Sequence, residues 1–253
     1  MLSTVLTRAA AAGTAAGLLA AGLLLGGCAK PTPPRPAPGP PHPQAANGKA
    51  VPARPAELPG LGPATRGFVP DDTTQAVVVS GDARDSTHST VVLYERDRTK
   101  GWQRALGNWP AHNALKGWTD EHWAGDNRSP IGVFGLTDAG GLLPDPGAKL
   151  PYYQAADFST DGTGFLGEPL DGSFDYVVAI NYNRWPGRSP LYDEGRRPMG
   201  WDRGGGVWIH VDHAGPTQAC VSLSREYMRE LLRWLDPEKE PVVVMGDAAS
   251  LAR

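Results

Sequence analysis

The chain lacks a dominant charge and has little cysteine. Its 253 residues include 2 cysteines and carry a formal net charge of -3. A nucleic-acid-binding protein would be expected to carry a basic patch, so this balance argues against that class. No basic tail or acidic block offers a charged surface to a partner, and there is no internal repeat. The 32 glycines and 25 prolines favour a loop-rich architecture of strands over a helical bundle.

The chain also lacks an apolar run long enough to span a membrane. The apolar residues 15–25, which follow the cation Arg8, are fewer than the ~20 that a spanning helix needs. The string LGGC then ends at Cys28, and it resembles the lipobox of bacterial lipoproteins. We therefore expect residues 1–28 to be a lipoprotein signal peptide. Lipidated Cys28 would tether an exported protein to a membrane, facing the cell wall or periplasm. The alternatives are an ordinary signal peptide or an uncleaved anchor, with Cys28 incidental.

Residues 29–72 are rich in proline and contain almost no aromatic or β-branched residues. Such a segment cannot bury enough apolar surface to fold, so we expect a disordered, semi-rigid spacer. At ~3.1 Å per residue, forty residues in polyproline geometry reach roughly 120 Å, which would lift the domain into the wall. A ligand for a proline-recognition domain is the alternative.

Residues 73–247 predict one domain that is large enough for a hydrophobic core. Short β-branched and aromatic runs, bounded by Gly, Pro, Asn or Asp, predict strands at residues 76–79, 90–94, 132–136, 176–182, 207–211 and 242–245. One amphipathic helix is predicted after the N-cap residue Ser224, and it ends at Asp236 and Pro237.

Cys220 is the candidate nucleophile. If Cys28 is lipidated, Cys220 has no partner for an intramolecular disulfide in a compartment that oxidises thiols. His210 ends a predicted strand ten residues earlier, and the loop between them can fold back so that the side chains meet. A cysteine with an ordinary pKa of about 8.5 needs a base at neutral pH, and His210 is the candidate. The backbone N–H groups of Ala219 and Cys220 are candidates to bind the oxyanion of an acyl transfer.

These residues resemble the signature of the bacterial L,D-transpeptidases, which cross-link or modify peptidoglycan. That signature is an Ile-His strand end, a loop, and a Ser/Thr-x-Gly-Cys segment followed by alternating apolar residues. Here Ile209 and His210 precede residues 217–223, TQACVSL, and the earlier residues 125–134, GDNRSPIGVF, are similar to the family's second element. The resemblance covers roughly residues 75–246. It implies a mainly β sandwich or barrel with few helices, one of them C-terminal and amphipathic.

The resemblance also implies the reaction. Cys220 would attack the carbonyl of the L-configured centre in a peptidoglycan tetrapeptide stem and expel the terminal D-Ala, leaving an acyl-enzyme. An amine would resolve it as transpeptidation, whereas water would give L,D-carboxypeptidase action, and both remain open. Carbapenems are the implied covalent inhibitors. We expect a monomer without a cofactor.

Ala219 departs from the family pattern, which usually has Gly immediately before the cysteine. Glycine there permits unusual backbone angles or close approach of the substrate, and a methyl group would disturb the oxyanion-binding peptide. A catalytically impaired, peptidoglycan-binding lipoprotein is therefore the second hypothesis.

Four residues around the predicted pair are candidates for support. Asp212 and His213 are candidates to orient His210 or to meet an amine acceptor, and solvated loop positions are the alternative. Thr217 and Ser222 are candidate hydrogen-bond partners of the nucleophile, and a turn residue and an exposed strand hydroxyl are the alternative.

Other residues suggest three further kinds of ligand: a substrate carboxylate, a metal ion and sugar rings. Arg128 is a candidate for a substrate carboxylate, although Arg-Ser-Pro also makes a turn. His210, Asp212, His213 and Cys220 offer zinc-type atoms but lack a metal-binding spacing, so we predict no metal. Several tryptophans could stack on sugar rings, although packing is the commoner use of this residue: Trp102, Trp109, Trp118, Trp123, Trp185 and Trp201.

Overall fold

The computed structural model describes residues 56–192 and 197–253, which belong to one compact unit. The predicted signal peptide, the lipidation site Cys28 and residues 29–55 of the predicted spacer lie outside the described residues. None of the helices in the described part has the length and apolar character needed to cross a membrane.

The described chain is mainly β. Its strands are β1 (Gln75–Gly81), β2 (His88–Asp97), β3 (Gly101–His112), β4 (Trp118–Thr119), β5 (Ser129–Pro130), β6 (Gly132–Gly141), β7 (Tyr152–Gln154), β8 (Val177–Ile180), β9 (Trp208–Val211), β10 (Val221–Leu223) and β11 (Val242–Asp247). Its α-helices are α1 (Pro63–Arg66), α2 (Arg225–Trp234) and α3 (Ala248–Leu251). Short 3-10 helices occupy Ala156–Phe158, Trp201–Arg203 and Pro237–Lys239.

Nine of these strands form one sheet in the order β11-β1-β2-β3-β10-β9-β8-β6-β7. Because β11 also pairs with β6, eight strands close into a barrel-like ring, and β7 adds to the end of β6. The predicted mainly β class with few helices is confirmed. The predicted C-terminal helix is α2, which begins where the Ser224 hydroxyl accepts a hydrogen bond from the Tyr227 N–H.

Strands β1 and β11 read as uninterrupted apolar runs because both of their faces are covered. Val77 and Val79 point into the main core with Val243 and Met245. Alternate residues on the opposite face belong to a second, smaller core: Ala76, Val78, Val242 and Val244. Successive strand residues point to opposite sides, so this second face needs a cover of its own.

Residues 56–69, here called the N-terminal strap, supply part of that cover. Leu58 and Leu61 are buried in the second core. The strap is tied down by backbone bonds, among them Gly62 N–H to Leu251 O at 2.8 Å and Ala56 N–H to Lys100 O at 2.7 Å. The expectation that the spacer runs to residue 72 is therefore wrong for residues 56–72. The folded unit also continues past residue 247, since α3 buries Leu251.

Replacing Leu58 by Ala should lower the free energy of unfolding by about 2–4 kcal/mol, because it opens a cavity over β1 and β11. Urea denaturation of the full chain measures this. Phe68→Ala in the same strap is the control and should change stability by less than about 0.5 kcal/mol, since Phe68 is 75% exposed. If both substitutions had equal, small effects on stability, the packing of the strap against β1 and β11 would be contradicted.

Candidate active site

The pairing of β9 with β10 positions the two predicted reactive side chains. The strands are parallel, with Ile209 opposite Val221 and His210 opposite Ser222. Cys220 immediately precedes β10 and is therefore level with Trp208, whose backbone N–H donates to Cys220 Sγ at 3.4 Å. His210 lies two residues further along β9, and alternate residues of a strand share a face. Cys220 and His210 accordingly line the same pocket.

The ring of His210 is held in one orientation. Its Nδ1 lies 2.9 Å from the backbone oxygen of Val211. Because a carbonyl oxygen only accepts, Nδ1 carries the proton and Nε2 is left as an acceptor. The Phe174 ring meets the imidazole edge to face at 5.3 Å, and the His213 ring stacks on it at 5.8 Å. His210 thus has the tautomer that a general base needs.

Burial sets the protonation of both groups. It raises the pKa of the Cys220 thiol to about 11, although the Trp208 N–H opposes the shift. It lowers the pKa of His210 to about 4. Both groups are therefore neutral at pH 7, and the resting thiol donates to the Gly206 carbonyl oxygen at 3.7 Å. Cys220 as a whole residue is half-buried and lines the pocket.

The backbone around Cys220 is anchored on its carbonyl side. Its oxygen accepts from the Thr217 hydroxyl at 2.7 Å and from the Ser129 hydroxyl at 3.3 Å. In the described part of the chain, no hydrogen bond uses the N–H groups of Ala219 and Cys220, and both residues line the pocket. Two adjacent donors are thus available beside the sulfur, as an oxyanion site requires.

The pocket has a volume of about 550 Å³. Its walls come from segments within residues 122–127, 160–174, 197–206 and 213–220. Phe165, Leu170 and Phe174 make part of the lining apolar, while Arg197 contributes a cation. Among the described residues, no group of three or more His, Cys, Asp or Glu side chains is arranged to hold a metal ion. A cleft with a cysteine, a histidine and free backbone donors suits acyl transfer.

A family model described as YkuD, L,D-transpeptidase catalytic domain, matches residues 75–244. The chain belongs to this family. The match runs from β1 into β11 and includes both motifs. No curated protein and no solved structure matches the chain. Family membership supports a function of the L,D-transpeptidase type and peptidoglycan as the partner.

Ala219 fits this L,D-transpeptidase domain without backbone strain. The described non-glycine residues with positive φ are Asn108, Asn127, Asn183, Ala214 and Glu240. Ala219 is absent from that set, so its backbone does not require glycine. Its methyl group packs against the main core. The expected conformational conflict at this position is therefore not found.

Asp212 and Ser222 brace the strands of the L,D-transpeptidase domain and do not contact the sulfur. Asp212 Oδ1 accepts from His112 Nδ1 at 2.8 Å and from the Ser222 hydroxyl at 2.7 Å. Burial raises the pKa of Asp212, but these hydrogen bonds outweigh it and hold the pKa at about 2. Asp212 and His112 line a second pocket together with His88. These hydrogen bonds reach neither His210 nor Cys220, so the support of His210 by Asp212 and of the nucleophile by Ser222 stays a prediction.

His213 links His210 to a distant loop. Its ring stacks on His210, and its Nδ1 lies 3.1 Å from Glu168 Oε1. Glu168 also accepts from the Leu166 N–H at 2.7 Å, which shapes the loop that forms one wall of the pocket. No sequence signal marks Glu168, because it lies in an irregular segment 45 residues before His213.

Arg128 lies outside the pocket, so its predicted contact with a substrate carboxylate is not supported. Its Nη1 lies 2.8 Å from Asp85 Oδ1 and 3.2 Å from the Trp118 carbonyl oxygen. The cation in the pocket wall is Arg197. A Cβ at Gly205 would lie 2.8 Å from the Arg197 guanidinium carbon, so glycine there lets Arg197 lie against the backbone.

Alkylation of Cys220 by iodoacetamide should rise about tenfold per pH unit from pH 7 to pH 10, since the reactive thiolate is scarce below a pKa of about 11. At pH 8 the folded protein should react roughly a hundredfold more slowly than the urea-unfolded chain, whose thiol has an ordinary pKa. Peptide mapping separates Cys220 from Cys28. A rate plateau above pH 7 would instead indicate a thiolate and imidazolium pair.

Proposed function

We propose that this protein is a membrane-tethered cell-wall L,D-transpeptidase that forms an acyl-enzyme with peptidoglycan tetrapeptide stems at Cys220. The observation that carries the proposal is the shared pocket of Cys220 and His210, with His210 Nδ1 bound to the Val211 oxygen and Nε2 left as an acceptor. The tether rests on the lipobox-like sequence ending at Cys28, which lies outside the described residues.

Acylation begins from two neutral groups. His210 Nε2 takes the thiol proton while the sulfur attacks the carbonyl carbon of the L-configured centre, so charge develops only as the new bond forms. The new imidazolium keeps its Nδ1–H on the Val211 oxygen. The N–H groups of Ala219 and Cys220 donate to the oxyanion of the tetrahedral intermediate. Proton transfer from Cys220 to His210 therefore depends on a bound substrate, because burial disfavours a thiolate–imidazolium pair in the resting protein.

His210 releases the proton when the tetrahedral intermediate collapses. His210 gives it to the nitrogen of the leaving D-Ala as the C–N bond breaks, and a thioester remains on Cys220. An acceptor amine then attacks the thioester, loses its proton to His210 and forms the new amide, while the thiol is regenerated. The family description names a transpeptidase. A transpeptidase passes the acyl group to an amine, so the proposal takes an amine as the acceptor.

Incubation of the full chain with a carbapenem should give one covalent adduct that maps to Cys220 by intact mass and peptide mapping. Cys220→Ala should abolish it. His210→Ala should slow acylation by about 10²–10⁴-fold, because the general base is lost. His88→Ala is the matched control and should leave the rate unchanged, since His88 is exposed at the second pocket. An adduct that persists in Cys220→Ala would rule out this nucleophile.

Ala219→Gly tests the alternative of a catalytically impaired, peptidoglycan-binding protein. We expect the acylation rate to change by less than about threefold, because Ala219 already has an ordinary φ and packs on the core. Stopped-flow measurement of carbapenem acylation provides the rate. A gain of a hundredfold or more would support the impaired protein and contradict the proposed enzyme.

A further inference from the structure

Several large apolar side chains that are exposed in the described residues belong to the segments that line the active-site pocket: Trp123, Phe165, Leu166, Met199 and Trp201. Phe68 in the N-terminal strap, Trp185 and Tyr192 are exposed as well. Clustered exposure of this kind marks an interaction surface.

Two exposed tryptophans of these segments each stack on an arginine and are here called the Trp–Arg rim: Trp123 with Arg203, and Trp201 with Arg197. In each stack the guanidinium carbon lies 4.5 Å from the ring centroid. The two indoles are 49% and 52% exposed. The segments that carry them run side by side, joined by the Ala124 N–H to the Asp202 oxygen at 2.9 Å.

The rim stands at the mouth of the pocket. His122, Ala124 and Gly125 line the pocket, whereas Trp123 between them does not. Gly204 lines it as well, whereas Trp201 does not. A ligand on the indoles would therefore lie outside the pocket, next to a ligand that enters it.

The rim is also rigidly supported. Asn183 is buried and its side-chain amide donates to the carbonyl oxygens of Gly200 at 2.9 Å and Gly204 at 2.6 Å. The Tyr182 hydroxyl donates to the Arg203 oxygen at 2.9 Å. These bonds fix the turn that carries Trp201 and Arg203. Such preorganisation lowers the entropy cost of binding.

We propose that the Trp–Arg rim binds the glycan strand of peptidoglycan, with indole rings stacked on saccharide rings while the attached stem peptide enters the pocket. The polymer's identity rests on the proposed function. A saccharide ring has an apolar C–H face and a rim of hydroxyl and acetamido oxygens. Half-exposed indoles supply the matching apolar faces, and the guanidinium groups supply hydrogen-bond donors. A surface on which indole rings alternate with guanidinium cations suits a saccharide, which has both apolar and polar groups. It suits a partner with a continuous apolar surface less well.

The test uses the full chain and glycan strands from which an amidase has removed the stem peptides, with binding measured by co-sedimentation. An N-acetylglucosamine tetramer, titrated by NMR, is the soluble probe. Trp123→Ala and Trp201→Ala should each weaken binding roughly threefold to tenfold. Trp201→Phe should recover part of the loss, since a smaller aromatic face remains. Phe68→Ala is the exposed-aromatic control and should bind like the wild type. Circular dichroism melting shows that each variant is folded.

Carbapenem acylation of the wild-type preparation, measured in parallel, separates the two proposals. An adduct at Cys220 without any binding to peptide-free glycan would overturn the proposed glycan-binding role of the rim and leave the proposed enzymatic function intact. Glycan binding without an adduct overturns the proposed enzyme. Unchanged glycan binding in both Trp→Ala variants would also overturn the glycan-binding role of the rim. A defect with intact peptidoglycan, but not with peptide-free glycan, would assign the rim to the peptide and equally overturn the proposal.

Discussion

The parallel pairing of β9 with β10 is the constraint on which the site depends. It sets Cys220 level with Trp208 and leaves His210 two residues further along the same face. β10 has only three residues, so its own ladder holds it weakly. The Asp212 carboxylate adds charge-assisted hydrogen bonds to His112 on β3 and Ser222 on β10. A network outside the active-site pocket thus helps to hold the register that places Cys220 and His210 in that pocket.

Burial of the pair has two opposing consequences. It makes the resting cysteine a poor nucleophile, because the thiol keeps its proton at neutral pH. The same protonation protects the sulfur, since oxidation also proceeds through the thiolate. For the exported protein proposed here, an unpaired thiol has to survive in an oxidising compartment. A neutral pair that separates charge only during attack reconciles reactivity toward the substrate with this persistence.

The fold was predictable where its determinants are local. The apolar runs of β1 and β11 are continuous, and α2 has both an N-cap serine and an apolar stripe, so these elements stand out. β3 was missed because bulges against β2 and seven successive unburied residues, 102–108, erase its alternation. The strap was missed for a different reason. Its two buried leucines are diluted in a proline-rich composition, and their partners on β1 and β11 are distant in the chain.

The residues of the site were likewise predictable where their contacts are local in the sequence and not where their partners are distant. Cys220 and His210 lie on one strand, loop and strand unit, so their approach could be predicted from spacing alone. The partner of Asp212 could not, because His112 is 100 residues away. Ser129 is the instructive case. It belongs to the motif that suggested Arg128 as a ligand, yet its hydroxyl donates to the Cys220 carbonyl while also accepting from the Ala114 N–H. One motif thus anchors the backbone of the other, a contact that charge and spacing in the sequence do not reveal.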